Sequence, residues 1–225
     1  MKHAGRARRA AFKLIIFATL VAGAAGLIDR GLNFFPGIVC TAVGALWLLF
    51  VLFTFYFFRD PAPRPPDGPG LVVSPGHGKV DVVDRLEKSD FFGGGPCHRI
   101  SIFLSVINVH VQNAPVTGRV SYVTHTPGKF ISALQTDCGA YNENVLIGFD
   151  PADAAGEKIG LRLIAGVLAR RIVPFVNEGD DLARGERISL IQFGSRCDLY
   201  LPLNYKIQVK LGDKVVGGQT VMASR

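Results

Sequence analysis

The run from Phe34 to Phe58 holds 25 residues without a charge, and that feature limits the folds open to this chain more than any other. Inside lipid every backbone amide must be bonded within its own segment, so a spanning helix needs about 20 apolar residues. A second apolar run, Phe12 to Ile28, is 17 residues long and stands at the lower limit for a span. Asp29-Arg30-Gly31-Leu32-Asn33 separates the two runs, and the pattern predicts a hairpin of two transmembrane helices joined by a polar turn. A cleaved signal peptide competes for the first run, with Ala22-Gly23-Ala24-Ala25 as the small-residue site. The second span follows almost at once, which favours an uncleaved anchor.

Charge orients the hairpin. The formal net charge is +7, but residues 1–58 hold six Lys/Arg against the single Asp29, leaving 19 basic and 17 acidic side chains in the rest. A balanced remainder offers no phosphate-binding stripe, so nucleic acid is excluded as a partner. Lys2, Arg6, Arg8 and Arg9 precede the first span and Lys13 stands at its very start, Arg59 and Arg64 follow the second, and only Arg30 lies between. The positive-inside preference then puts both chain ends in the cytoplasm, with the anchor in the inner membrane. Cys97, Cys138 and Cys197 are far apart and Cys40 falls inside the second span. Without a C-x-x-C spacing they read as buried thiols in a reducing compartment, and no metal site is expected.

Residues 59–70 carry five prolines and form a stiff, extended linker. It divides the chain into a tail and hairpin (1–58), the linker (59–70) and a globular domain (71–225). Beyond it come short β-rich runs such as Val80-Asp81-Val82-Val83, Ile100 to Leu104, Asn144 to Phe149 and Ile188 to Phe193, punctuated by Gly and Pro. Leu161 to Val173 fits a helical period as well as a buried strand, and is read as strand. An internal repeat is visible at a constant offset of 33, where Val176-Asn-Glu-Gly179-Asp180 to Ile188 matches Val209-Lys-Leu-Gly212-Asp213 to Val221. Each copy is strand, Gly-Asp turn, strand, because Gly reaches turn conformations closed to other residues and Asp bonds its own backbone. Such units recur in barrel-sandwich domains of carriers and membrane adaptors, so the repeat predicts fold and is neutral on function. The predicted class is α+β: a β-rich, barrel-sandwich-like domain preceded by a two-helix transmembrane hairpin.

Chemistry concentrates at Phe193-Gly194-Ser195-Arg196. A Gly-Ser pair alone is usually a turn. Here it is embedded in Arg184-Gly-Glu-Arg-Ile-Ser-Leu-Ile-Gln-Phe-Gly-Ser-Arg-Cys-Asp-Leu-Tyr-Leu-Pro202 and accompanied by Arg59-Asp60-Pro61, Asn108-Val109-His110-Val111 and Asn142-Glu143-Asn144. From about Phe57 to the C-terminus this set resembles the short, membrane-anchored bacterial phosphatidylserine decarboxylases. The resemblance implies a lyase that cuts itself between Gly194 and Ser195 and converts Ser195 into a covalent pyruvoyl cofactor. The partners implied are phosphatidylserine in the membrane and the chain's own fragments, 1–194 with 195–225; a homo-oligomer is compatible with it. A serine hydroxyl is a poor nucleophile near neutral pH and needs a base, and the resemblance gives that part to His110. Relatives usually read Ser-Pro-Ala-Asp-Gly-Lys-Val where this chain has Ser74-Pro75-Gly76-His77-Gly78-Lys79-Val80, so His77 stands in the place of an aspartate. Asp81 or Asp84 substitutes for the missing carboxylate, or His77 itself acts as base; the sequence leaves these open. The rival readings are an unprocessed relative with a degenerate site and a non-catalytic barrel-sandwich adaptor. Phe91-Phe92 is read as core rather than as a lipid gate.

Overall fold

The computed structural model describes residues 3–32, 36–133, 135, 138–167, 171–192 and 195–225. They fall into two compact units, Ala4–Asp60 and a larger one containing Pro61–Arg225. The smaller unit consists of α1 (Arg6–Leu32) and α2 (Gly37–Phe57), both long and apolar enough to cross a membrane. At about 1.5 Å per residue α2 reaches roughly 32 Å, close to the thickness of a hydrocarbon core. Its hydroxyls are satisfied inside the helix, with Thr41 Oγ1 donating to Gly37 O at 3.0 Å and Thr54 Oγ1 to Phe50 O at 2.7 Å. Phe12 and Phe55 meet edge to face with centroids 5.7 Å apart, so the two helices pair as a hairpin. One expectation is corrected: α1 continues through Asp29 and Arg30 to Leu32. A break in hydrophobicity does not break a helix, since Asp and Arg keep their backbone N–H. Pro36, which lacks one, stands immediately before α2.

The larger unit is built from short strands. In chain order these are β1 (Leu71–Val73), β2 (Gly78–Ser89), β3 (Gly95–Leu104), β4 (Val111–Asn113), β5 (Gly118–Thr126), β6 (Asn144–Pro151) and β7 (Ile159–Ala165). Then come β8 (Ile172–Pro174), β9 (Asp181–Leu182), β10 (Arg187–Ile191), β11 (Ser195–Leu201), β12 (Lys206–Ile207), β13 (Lys214–Val215) and β14 (Val221–Ser224). The ambiguous stretch from Leu161 is strand as far as Ala165, and the chain resumes as strand at Ile172; residues 168–170 lie outside the described ones. An eight-stranded sheet has the order β13-β2-β3-β11-β7-β6-β5-β9, and two three-stranded sheets have the orders β1-β14-β12 and β4-β10-β8.

That order is symmetric about the β11/β7 seam, and the hydrogen bonds show why. Gly212 N donates to Val80 O at 2.8 Å and Gly179 N donates to Val120 O at 2.8 Å; Lys210 N meets Asp213 Oδ2 at 2.9 Å and Asn177 N meets Asp180 Oδ2 at 2.8 Å. Gly179 and Gly212 take φ of +89° and +94°, the left-handed region that requires glycine. The repeat at offset 33 therefore carries a second one, in which Ser74–Val80 matches Ala114–Val120: a Cβ on Gly78 or Gly118 would strike Phe103 O or Asp150 O at 2.2 Å. The two equivalent halves share one core that includes Ile100, Ile102, Leu104, Ile147, Phe149, Leu161, Leu163 and Leu199, all fully buried. Each such side chain contributes roughly 2 kcal/mol by leaving water.

Strand alternation sets the two faces of β11. Cys197, Leu199 and Leu201 point into this core, and Arg196, Asp198 and Tyr200 point to the opposite face. All seven residues of β11 are buried, because that second face is covered too. Phe91 stacks on Tyr200 with centroids 6.3 Å apart and lies where a Cβ on Gly160 would be, 2.8 Å from the ring. Phe91 is thus a packing residue.

Candidate active site

Ser195 opens β11 at the centre of the large sheet, opposite Leu104 on β3 and Ala165 on β7. Its side chain has no exposed surface, and Oγ has no hydrogen-bond partner among the described residues. A buried hydroxyl without a partner costs about 1–3 kcal/mol. Ser101 Oγ, Ser121 Oγ, Arg162 Nε and Asp198 Oδ1 of the same sheet share that state among the described residues, and Ser195 differs from them in standing at the Gly-Ser bond. Phe193 and Gly194 lie outside the described residues.

His110, fully buried, closes the segment that leads from β3 into β4. Its Nδ1 lies 2.9 Å from Asn108 O, and a carbonyl can only accept, so Nδ1 carries the hydrogen. The neutral ring then holds its lone pair on Nε2, the form that accepts a proton. The backbone oxygen of His110 receives Ile191 N at 3.1 Å and Gln112 Nε2 at 2.7 Å, and Gln112 Oε1 is in turn bonded by Ser189 Oγ at 2.6 Å. The chain running toward residue 195 is thereby tied to the histidine's own backbone.

His77 is half-buried in the turn between β1 and β2. Gly76 in that turn faces Leu104 and Cys197, so the turn packs on the head of β11. The ring rests against Gly217, where a Cβ would come within 2.9 Å of His77 Cδ2 and 2.8 Å of Asn113 Oδ1. Asn113 is itself fixed, its backbone N bonded to Pro75 O at 2.8 Å and its Nδ2 to Gly185 O at 2.9 Å. The pseudo-symmetry explains the space. In the other half Thr117 and Arg184 occupy the positions of His77 and Gly217, with Arg184 N bonded to Thr117 Oγ1 at 3.1 Å. The two halves part company where an imidazole needs room.

Neither carboxylate left open by the sequence is available to a histidine without giving up an arginine. Asp81 receives both ends of the Arg196 guanidinium, with Nη1 to Oδ1 at 2.9 Å, and Asp84 receives Arg99 Nε at 3.0 Å and Nη2 at 2.6 Å. Burial still pushes the Asp81 carboxyl above its ordinary range, against the pull of Arg196. Arg196 has no exposed surface, and its Nε and Nη2 also reach Ala133 O. Asp198 is raised as well, chiefly by burial, despite Ser101 and the guanidiniums of Arg196, Arg99 and Arg162. The Cys197 thiol is likewise pushed up by burial, as expected of an inert core cysteine. Asn142 turns out to be a structural pin: its side chain bonds Ile131 N, Ile131 O and Ala165 O at 2.7–2.9 Å. Glu143 Oε1 lies 3.3 Å from His125 Nε2. The Arg196–Asp81 pair and the Asn142 pin escaped the sequence reading because their partners are remote in the chain.

A profile of the family described as "Phosphatidylserine decarboxylase" matches residues 50–223. This chain belongs to the phosphatidylserine decarboxylase family. Among its relatives, the phosphatidylserine decarboxylase proenzyme of Desulfotalea psychrophila is 43% identical over 183 residues, covering 81% of this chain and 84% of the relative. The proenzyme of Pelobacter propionicus is 43% identical over 190 residues, covering 83% and 84%, and that of Oleidesulfovibrio alaskensis 41% over 200 residues, covering 89% and 90%. Each of these relatives carries the name of a proenzyme.

Proposed function

We propose that this chain decarboxylates phosphatidylserine to phosphatidylethanolamine after cutting itself between Gly194 and Ser195. The observation that carries the reading is the Ser195 hydroxyl at the head of β11, buried and without a hydrogen-bond partner among the described residues, beside a segment bonded to the backbone of His110. In the reaction His110 Nε2 takes the hydroxyl proton and Ser195 Oγ attacks the Gly194 carbonyl carbon. The C–N bond breaks, the nitrogen gains a proton, and an ester replaces the amide. Loss of the Ser195 Cα proton then expels Gly194 as the carboxylate of fragment 1–194. The dehydroalanine left at residue 195 takes up water and releases ammonia, which leaves a pyruvoyl end. Conversion of the serine turns its buried hydroxymethyl group into a methyl group, which needs no hydrogen-bond partner. A pyruvoyl group supplies an electrophilic carbonyl that accepts the electron pair left when carbon dioxide departs from the serine head group.

His77, held between Gly217 and the β11 head, fills the space of the family's aspartate and acts on the orientation of His110 rather than as the base. The 31-residue fragment stays bound because β11 is bonded along its length to β3 and β7. The division into 1–58, 59–70 and 71–225 matches these roles: anchor, strap and catalytic domain, the last on the cytoplasmic face of the inner membrane. The serine head group is the shared requirement, so an archaetidylserine-like lipid is the nearest substitute substrate. Intact-mass measurement is the test. Wild-type protein yields a 31-residue fragment that begins with pyruvoyl, and Ser195→Ala gives one inert, full-length chain. A full-length chain that decarboxylates overturns the mechanism.

A further inference from the structure

The sheet end at which Ser195 begins β11 is also where three connections leave the sheet: 105–110 after β3, 127–143 after β5 and 166–171 after β7. These carry Val106, Ile107, Phe130, Tyr141 and Val167, exposed at 37%, 61%, 38%, 55% and 57%. Large apolar side chains scattered singly on a surface are ordinary. Five on the loops around one sheet end are not.

The backbone beneath them is held, so the exposure is built in. Asn108 Oδ1 accepts Ser105 N at 2.9 Å and Ser105 Oγ at 2.7 Å, and Asn108 N returns a bond to Ser105 O at 2.9 Å. Val106 and Ile107 are the central residues of that turn, positions that polar residues and Gly ordinarily fill. Phe130 is flanked by Lys129, bonded to Tyr141 O at 2.7 Å, and by Ile131, pinned by Asn142. Lys129 and Arg171, on the same loops, are exposed and cationic. Glu143, the acidic side chain described there, faces His125; Asp137 lies outside the described residues.

We propose that this rim docks on an anionic bilayer, with Val106, Ile107, Phe130, Tyr141 and Val167 inserted at the acyl boundary and Lys129 and Arg171 against lipid phosphates. Apolar side chains beside cations are what an interfacial segment needs. The turn that holds Val106 and Ile107 also holds His110 through Asn108 O, so insertion puts the bilayer at the mouth of the site. The choice of lipid rests on the decarboxylase reading; the insertion itself does not.

The test uses the full chain in vesicles of phosphatidylcholine and phosphatidylglycerol. In a Trp47→Phe background, Phe130→Trp gives one indole on the rim. Lipids brominated high on the acyl chain quench its emission at least twofold, and lipids brominated near the chain end quench it less. Unquenched emission with a water-like maximum overturns the proposal, as does burial of that indole in a dimer detected by cross-linking. Quenching in a chain that proves inert sustains the docking and removes the decarboxylase reading. Val106→Ser with Ile107→Ser lowers turnover of vesicle-held phosphatidylserine at least tenfold, while monomeric short-chain phosphatidylserine and the yield of the 31-residue fragment are unchanged. Equal losses on both substrates overturn it.

Discussion

Arg196 is the residue whose environment is hardest to reconcile with a passive role: a guanidinium with no exposed surface, adjacent to the serine, shared between Asp81 and Ala133 O. A buried pair is weak evidence for stability, but removing one partner leaves a charge in a low dielectric. Asp81→Leu should cost about 3 kcal/mol or more for that reason. Arg196→Met with Asp81→Leu should recover most of the loss, because both charges are then gone. Thermal unfolding in detergent of the two singles and the double checks this; additive losses would show that the pair does not act as a unit. The sequence pointed to Ser195 and His110 only through the resemblance of their surrounding motifs to the decarboxylase family. It had no means of joining Arg196 to Asp81, which sit 115 residues apart.

The internal repeat is most informative where it fails. Both Gly-Asp turns were readable at offset 33, since a left-handed φ leaves a glycine at each copy. The companion repeat of Ser74–Val80 with Ala114–Val120 shares little side-chain identity beyond its Pro, Gly and Val positions and emerges only from matching hydrogen bonds. Their superposition pairs His77 with Thr117 and Gly217 with Arg184, and so exposes a gap made for an imidazole. Gly217→Ala should abolish or strongly slow cleavage, because its Cβ would meet Asn113 Oδ1 at 2.8 Å and His77 Cδ2 at 2.9 Å while Asn113 is pinned to Gly185. Gly179→Ala, strained by its φ of +89° but with only the end of Arg119 nearby, should lose about 1–2 kcal/mol and still cut. The 31-residue fragment, followed on denaturing gels over time, separates the two; rapid cutting by Gly217→Ala would remove the space argument.

At the scale of the whole molecule, a helical hairpin returns the chain to the side on which it started, and the proposal that this side is the cytoplasm rests on the Lys/Arg bias. In a background without native cysteines, a cysteine at Asn33 should react only with reagent added from the periplasmic side, and one at Gly68 only from the cytoplasmic side. The reverse pattern would invert the topology. Residues following the hairpin are strapped down rather than loose: Arg184 Nη1 reaches Leu71 O at 2.9 Å and Nη2 reaches Gly68 O at 3.0 Å, while Pro63 and Pro65 lie over Gly218 and Gly185. Proline-rich composition foretold stiffness, and the arginine that uses it was legible only as part of the Arg184 to Pro202 motif.

Properties that depend on local pattern were present in the chain itself: the two long apolar helices from their hydropathy, the strands from alternation, and the paired turns from glycine and aspartate. Where α1 ends was misread, because hydropathy reports solvent preference and not the backbone bonding that ends a helix. Properties that depend on what distant segments meet belonged to the tertiary structure. It alone set the Nδ1–H tautomer of His110, took Asp81 and Asp84 for arginines, buried the Ser195 hydroxyl without a partner among the described residues, and gathered five exposed apolar side chains at one sheet end. A sequence encodes those contacts only through the free energy of the whole fold, in which each pairing depends on the register of strands many residues away.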